Sequence, residues 1–209
     1  RGVAPERFLD AYMAERGPSA RATIVESMRV GQHVNERDPE KVKARDEQLL
    51  AMQAAKAHRG AEKQLIAFRV PGYSAGFIAR GDALAAGDAF PQAAIRGEGE
   101  RRGRFDDIAG RGFLILARGA NPWDSLPEPQ RALWQSLGGK VVHLAPAAGP
   151  GAVVDIEGRY AALMDAYGAE VIVKRPDHNI FGACRSMAEL PALLADLGAQ
   201  IRTGETVQQ

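Results

Sequence analysis

Apolar positions in the first 58 residues recur at helical spacing. Phe8, Tyr12, Ala20, Ile24 and Met28 fall every fourth residue or a multiple of it, and Leu9 and Met13 widen the stripe. Glu6, Asp10, Glu15, Arg16 and Arg21 take the other faces, as expected of an amphipathic helix. Pro5 suits its first turn, where a missing N–H costs nothing. Gly17-Pro18 interrupts the stripe. A proline removes one ladder bond and crowds the preceding turn, so a kink or a break is expected there. Asp38-Pro39-Glu40 marks a second helix start, with an N-cap acceptor, a proline and an early acid. Residues 40–58 read as a largely solvated helix anchored by Val42, Leu49, Leu50 and Met52. From Gly60 to Arg104 the pattern decays. Gly72, Gly76, Gly81, Gly87, Gly97, Gly99 and Gly103, with Pro71 and Pro91, predict a long irregular connection holding short extended pieces such as Leu65–Val70.

The second half has sharper periods. Gly112–Ala117, through Phe113-Leu114-Ile115-Leu116, is an apolar run of buried-strand length. Pro127–Leu137 predicts a helix ended by Gly138-Gly139, with Leu133, Trp134 and Leu137 inward. Lys140–Leu144 is strand-like, Gly149–Gly151 a turn, and Ile156–Tyr167 a helix ended by Gly168. Val171–Val173 and Asn179–Ala183 are two further strands joined by the tight Arg175-Pro176-Asp177 corner. Ser186 is placed to cap a last helix, with Glu189 at the capping-box position and Leu190, Leu193, Leu194 and Leu197 facing the core. The order is β-α-β-α-β-β-α. Its first β-α-β unit must cross over right-handed into a parallel pair, and its last two strands form an antiparallel hairpin. The expected fold is α/β: a four-stranded mixed sheet covered by helices, thioredoxin-like, preceded by a helical arm. The boundaries that follow are an arm over 1–59, an irregular linker over 60–104, a thioredoxin-like domain over 105–202 that folds alone, and a flexible tail over 203–209.

Composition narrows the function classes. With 45% hydrophobic residues the 209-residue chain is not disordered, and 27 basic against 26 acidic side chains give no charge bias toward nucleic acid or anionic lipid. No apolar run has the length of a membrane span and no signal-peptide pattern opens the chain. The single cysteine, Cys184, rules out an intramolecular disulfide and a cysteine-based metal cluster. A reduced, cytoplasmic protein without nucleic-acid or membrane partners is expected. The opening Arg1-Gly2-Val3-Ala4-Pro5 lacks an initiator methionine and reads as a piece of a longer polypeptide.

Candidate chemistry is sparse. A redox thioredoxin carries Cys-X-X-Cys after its first strand, where a helix N-terminus activates the thiol. Here that turn reads Gly119-Ala120-Asn121-Pro122-Trp123-Asp124, and Gly168-Ala169-Glu170 lacks the proline such enzymes place before the third strand. Cys184 reads as a small buried hydrophobe. His33, His58, His143 and His178 are scattered without metal-ligand spacing. The acid pair Asp106-Asp107 serves a turn or cap, and Arg175-Pro176-Asp177 a hairpin corner. The run Arg96–Arg104 is an exposed loop before it is a phosphate clamp. Gly97-Glu98-Gly99 is too short a fragment for a nucleotide motif, and no Gly-X-Ser-X-Gly elbow or P-loop is present.

Several segments nevertheless resemble one family. Phe8-Leu9-Asp10-Ala11-Tyr12-Met13-Ala14-Glu15-Arg16-Gly17-Pro18 resembles the "L-L-D-x-Y-x-x-E-R-x-P" helix that ends the FAD domain of class A flavoprotein aromatic hydroxylases. Phe90-Pro91-Gln92, Phe105-Asp106-Asp107 through Leu116, Asp155 to Tyr160 ("D-x-x-G-x-Y") and Val173 to Asp177 ("V-R-P-D") resemble segments of their C-terminal domain, in order. The likeness is strongest to 3-(3-hydroxyphenyl)propionate hydroxylase-type enzymes and weak over 34–90. It implies a parent monooxygenase that uses FAD, NAD(P)H and O₂ to hydroxylate a phenolic ring through a flavin C4a-hydroperoxide. The dinucleotide-binding fingerprint, the Asp-Gly segment and the Gly-Asp flavin motif of that family are absent from this sequence. The resemblance therefore carries over no catalytic, cofactor-binding or metal residue, and no cofactor is expected for this chain alone. Its implied role is the structural C-terminal portion, partnered by the N-terminal FAD domain or by further copies of itself. The rival reading is a free-standing, redox-inactive thioredoxin-fold interaction or dimerisation module.

Overall fold

The computed structural model describes residues 4–58 and 72–207, so the expected extended piece Leu65–Val70 lies outside the described residues. The chain divides into two compact units, Arg1–Arg16 with Gly72–Gln209, and Gly17–Pro71. Helix α1 (Asp10–Asn35) gives its first turns to the larger unit and the rest to the smaller, which also holds α2 (Pro39–His58). Of the kink or break expected at Pro18, the break is not there: α1 is helical through it. The carbonyl of Ala14 loses its ladder donor, but Ala14, Ala20 and Ala22 on either side are the best helix formers and hold the backbone in register. Asp38 caps α2 as the sequence predicts, accepting the Glu40 N–H at 3.0 Å. In the smaller unit Ile24, Val25 and Met28 stay exposed.

In the larger unit the described residues form one sheet of seven strands, not four. In chain order these are β1 (Ala94–Arg96), β2 (Arg102–Arg104), β3 (Leu114–Arg118), β4 (Lys140–Leu144), β5 (Ala152–Asp155), β6 (Val171–Lys174) and β7 (Ile180–Cys184). Across the sheet they lie β2-β1-β5-β4-β3-β6-β7. The parallel β3–β4 pair and the antiparallel β6–β7 hairpin stand where the element order requires them. The additional strands come from the expected linker (β1 and β2) and from residues 152–155, to which the sequence pattern assigns no element (β5). Ile95 is the only fully buried residue of β1, and β2 buries none, so neither produces an alternation long enough to read.

Packing divides by side-chain parity. Ile115, Ala117, Val171, Val173 and Phe181 point to one face of the sheet, where α4 (Glu128–Ser136), α6 (Leu190–Thr203) and Phe8 and Ala11 from the N-terminal segment cover them. Leu114, Leu116 and Ile172 point to the other, against Phe90, Phe105, Tyr160 and Met164 of the flanking loop, α3 (Phe105–Ile108) and α5 (Arg159–Tyr167). Residues 72–90 are irregular but not slack. They cover the outer edge of β7 with Ala79 N–H to Phe181 O (2.7 Å), Gly87 N–H to Ile180 O (2.9 Å) and Ala183 N–H to Leu84 O (2.9 Å), which removes an open strand edge.

Two predicted helix starts shift. α5 begins at Arg159, three residues later than its periodicity suggests, because the Asp155 carboxylate accepts the N–H groups of Arg159 (3.2 Å), Tyr160 (2.7 Å) and Ala161 (2.9 Å). Tyr160 then anchors the other end of the motif: its hydroxyl accepts the Ala93 N–H at 2.9 Å and donates to Pro91 O at 3.1 Å. Burial lifts this phenol above its usual range. The "D-x-x-G-x-Y" segment is thus a cap and a tether. Asp155→Ala is expected to cost about 1–2 kcal/mol through loss of the cap, read as a lower urea midpoint at unchanged slope. At the start of α6, Ser186 makes no side-chain cap. A 3-10 turn over Met187–Glu189 intervenes, and only Glu189 reaches back, to the Arg185 N–H at 3.0 Å.

Candidate functional site

The chemically richest place is the end of β6, and its geometry follows from strand alternation. Successive residues point to opposite faces, so Lys174 follows Ile172 into one core layer and Arg175 follows Val173 into the other. Two adjacent cations are thereby buried on opposite sides of the sheet.

Arg175 uses its whole donor set. Nη1 donates to Glu15 Oε1 (2.7 Å) and Phe77 O (2.7 Å), Nη2 to Glu15 Oε2 (2.8 Å) and Asp177 Oδ2 (2.7 Å), and Nε to Asp177 Oδ1 (3.1 Å). The guanidinium also lies 5.5 Å from the Tyr73 ring centroid and 5.4 Å from that of Phe77. Burial works against its charge, but the Glu15 hydrogen bonds and the charges of Asp177 and Glu15 outweigh that, and its pKa is raised. Glu15 Oε1 additionally accepts the Phe77 N–H at 2.7 Å. A Cβ on Gly76 (φ +100°) would sit 2.2 Å from Glu15 Cγ, so a glycine here is what lets the carboxylate reach the loop. These five bonds need the five N–H groups of a planar guanidinium; the three donors of a lysine cannot make them.

Lys174, fully buried, faces Asp106 Oδ1 at 3.5 Å and Gly112 O at 3.4 Å. Asp106 Oδ2 meets His178 Nδ1 at 3.2 Å, and Gln92 Nε2 lies 3.1 Å from the same ring nitrogen. The sequence reading of Asp106 as a turn or cap residue is therefore corrected: its carboxylate is the counter-ion of a buried lysine. The Arg175-Pro176-Asp177 corner is a corner and, beyond that, the junction at which Glu15 is held. From the sequence, Glu15 is only a charge on a polar helix face and Lys174 has no role.

The remaining candidates do not converge. His33 is exposed on α1 with Nδ1 against Arg29 O at 3.0 Å, and His143 is half-buried in β4 with Nδ1 unpartnered. Among the described residues no three His, Cys, Asp or Glu side chains are grouped to hold a metal. Arg96 pairs with Glu100 at 2.7 Å across the β1–β2 turn. Cys184 is 2% exposed, and burial together with the nearby Glu189 pushes its thiol from 9.0 up to about 12. The protonated thiol is favoured in the folded state, so its stabilising contribution is complete below pH 9 and lost as pH rises from there toward 12. Iodoacetamide at pH 8 is expected to leave native protein unmodified and to alkylate it in urea; rapid labelling without denaturant would refute the inert thiol.

The hub has the chemistry of a structural junction, since each charge is spent on another. Residues 87–200 match the family model described as HcaD C-terminal domain. Over 94% of its length the chain is 32% identical to a Rhodococcus jostii (strain RHA1) protein named "Probable NADH-specific resorcinol 4-hydroxylase", covering 35% of it. Over 93% it is 28% identical to a 3-(3-hydroxy-phenyl)propionate/3-hydroxycinnamic acid hydroxylase of Mycobacterium avium (strain 104), covering 36%. The chain thus spans about a third of the length of these relatives. Among solved structures it resembles the flavin-dependent monooxygenase PieE in complex with FAD and substrate (TM-score 0.61, 20% identity, 95% of this chain and 41% of that one). Aklavinone-11 hydroxylase with FAD and aklavinone gives TM-score 0.57 at 18% identity, over 95% of this chain and 36% of that one.

Proposed function

The chain belongs to the HcaD C-terminal domain family, and on that premise we propose that it is the structural C-terminal part of a flavin-dependent aromatic-ring monooxygenase. The observation that carries this reading is the charge pairing at the end of β6: Glu15 pairs with Arg175 and Asp106 with Lys174, and the two cations also reach main-chain carbonyls. In the parent enzyme, FAD and NAD(P)H would supply the oxygen-transfer chemistry to a phenolic substrate. The described residues beside the hub do not fit that cofactor. The clefts there are lined by Phe8, Tyr12, Tyr73, Phe77, Phe113 and Leu137 together with Arg16 and the paired Glu15, Arg175 and Asp177, and among the described residues no glycine-rich turn opens a helix toward them.

Within this reading the core β3-α4-β4 and β6-β7-α6 is a thioredoxin-like framework without its thiol chemistry, with the turn 119–124 exposed apart from Pro122 and Trp123 and free of cysteine. The partner is the flavin-binding remainder of such an enzyme. Leu9, Tyr12 and Met13 in the larger unit, and Ile24, Val25 and Met28 in the smaller, are the exposed apolar surfaces offered to it. Among the described residues no helix is long and apolar enough to cross a membrane. The same exposure favours the second reading, a self-associating module, and light scattering separates the two: a concentration-dependent dimer supports self-association.

A flavin titration tests the first reading. FAD fluorescence is expected to be unquenched by this chain alone, and tight stoichiometric binding would overturn the structural assignment. The complementary experiment exchanges this chain for the matching third of the Rhodococcus protein. Retained flavin content is expected; a folded chimera that has lost its flavin would count against a shared role.

A further inference from the structure

We draw no further inference here: the strongest candidate, the apolar cleft of about 330 Å³ beside Phe8, Phe77, Phe113, Leu137 and Ile201, carries nothing because nothing in the structure shows what covers it.

Discussion

Replacing Glu15 by alanine is expected to destabilise the larger unit by about 3–5 kcal/mol, the cost of leaving a buried charge without its partner. Arg175 is buried, and Asp177, its other carboxylate, is 43% exposed at the side chain and shares its charge with water. Without Glu15 the Phe77 N–H also loses its acceptor. Urea unfolding followed through Trp134, which is fully buried with its indole N–H on Lys140 O at 3.1 Å, reads the loss as a fall in midpoint at constant slope. Pairing Glu15→Leu with Arg175→Met removes both charges and should recover much of the stability, because an apolar replacement avoids the desolvation cost of a buried ion pair. Arg175→Lys should not recover it, for want of the fork. A midpoint in Glu15→Ala equal to that of the parent would show that the first turns of α1 are not seated on the sheet.

That pair also marks the limit of what the sequence discloses. β3, β6 and β7 were legible because strands buried on both faces write themselves as unbroken apolar runs, Leu114–Ala117, Val171–Val173 and Ile180–Phe181. The inward face of α6 was legible because Leu190, Leu193, Leu194 and Leu197 repeat at helical spacing. β1, β2 and β5 were not, since each is three or four residues long with at most one fully buried side chain. Short strands of that kind are fixed by the neighbours they pair with, not by their own pattern. Glu15 and Arg175 lie 160 positions apart, and each looks like an ordinary surface charge in its own segment. Composition cannot say which charge is buried. The one sequence signal containing both was the resemblance itself, whose "E-R-x-P" and "V-R-P-D" segments meet at this junction.

The second large effect concerns the domain boundary. Composition and period suggested that 105–202 folds alone, but the structure predicts that this fragment melts without a cooperative transition. The fragment lacks Phe77, which packs on Phe8 (4.8 Å between centroids), Phe181 (5.0 Å) and Phe113 (6.3 Å) in one core layer. It also lacks Phe90, which lies 5.1 Å from Phe105 and 5.3 Å from Tyr160 in the other, and Ile95 of β1. Removing a buried Phe costs about 3–5 kcal/mol each, so two of them together approach or exceed the margin of about 5–15 kcal/mol that a domain has. Cutting away 72–90 further bares the β7 edge, and losing β1 strips β5 of its antiparallel neighbour. A fragment of residues 72–207 regains both Phe side chains and both strands and should melt cooperatively, though below a protein that keeps residues 4–16, by the amount that Glu15 and Phe8 contribute. Calorimetry of the two fragments, with dye binding to report exposed apolar surface, decides the matter. A sharp, dye-silent transition in 105–202 would mean that the N-terminal turns and the loop 72–90 decorate a self-sufficient core, and that the Arg175 junction only ties them down.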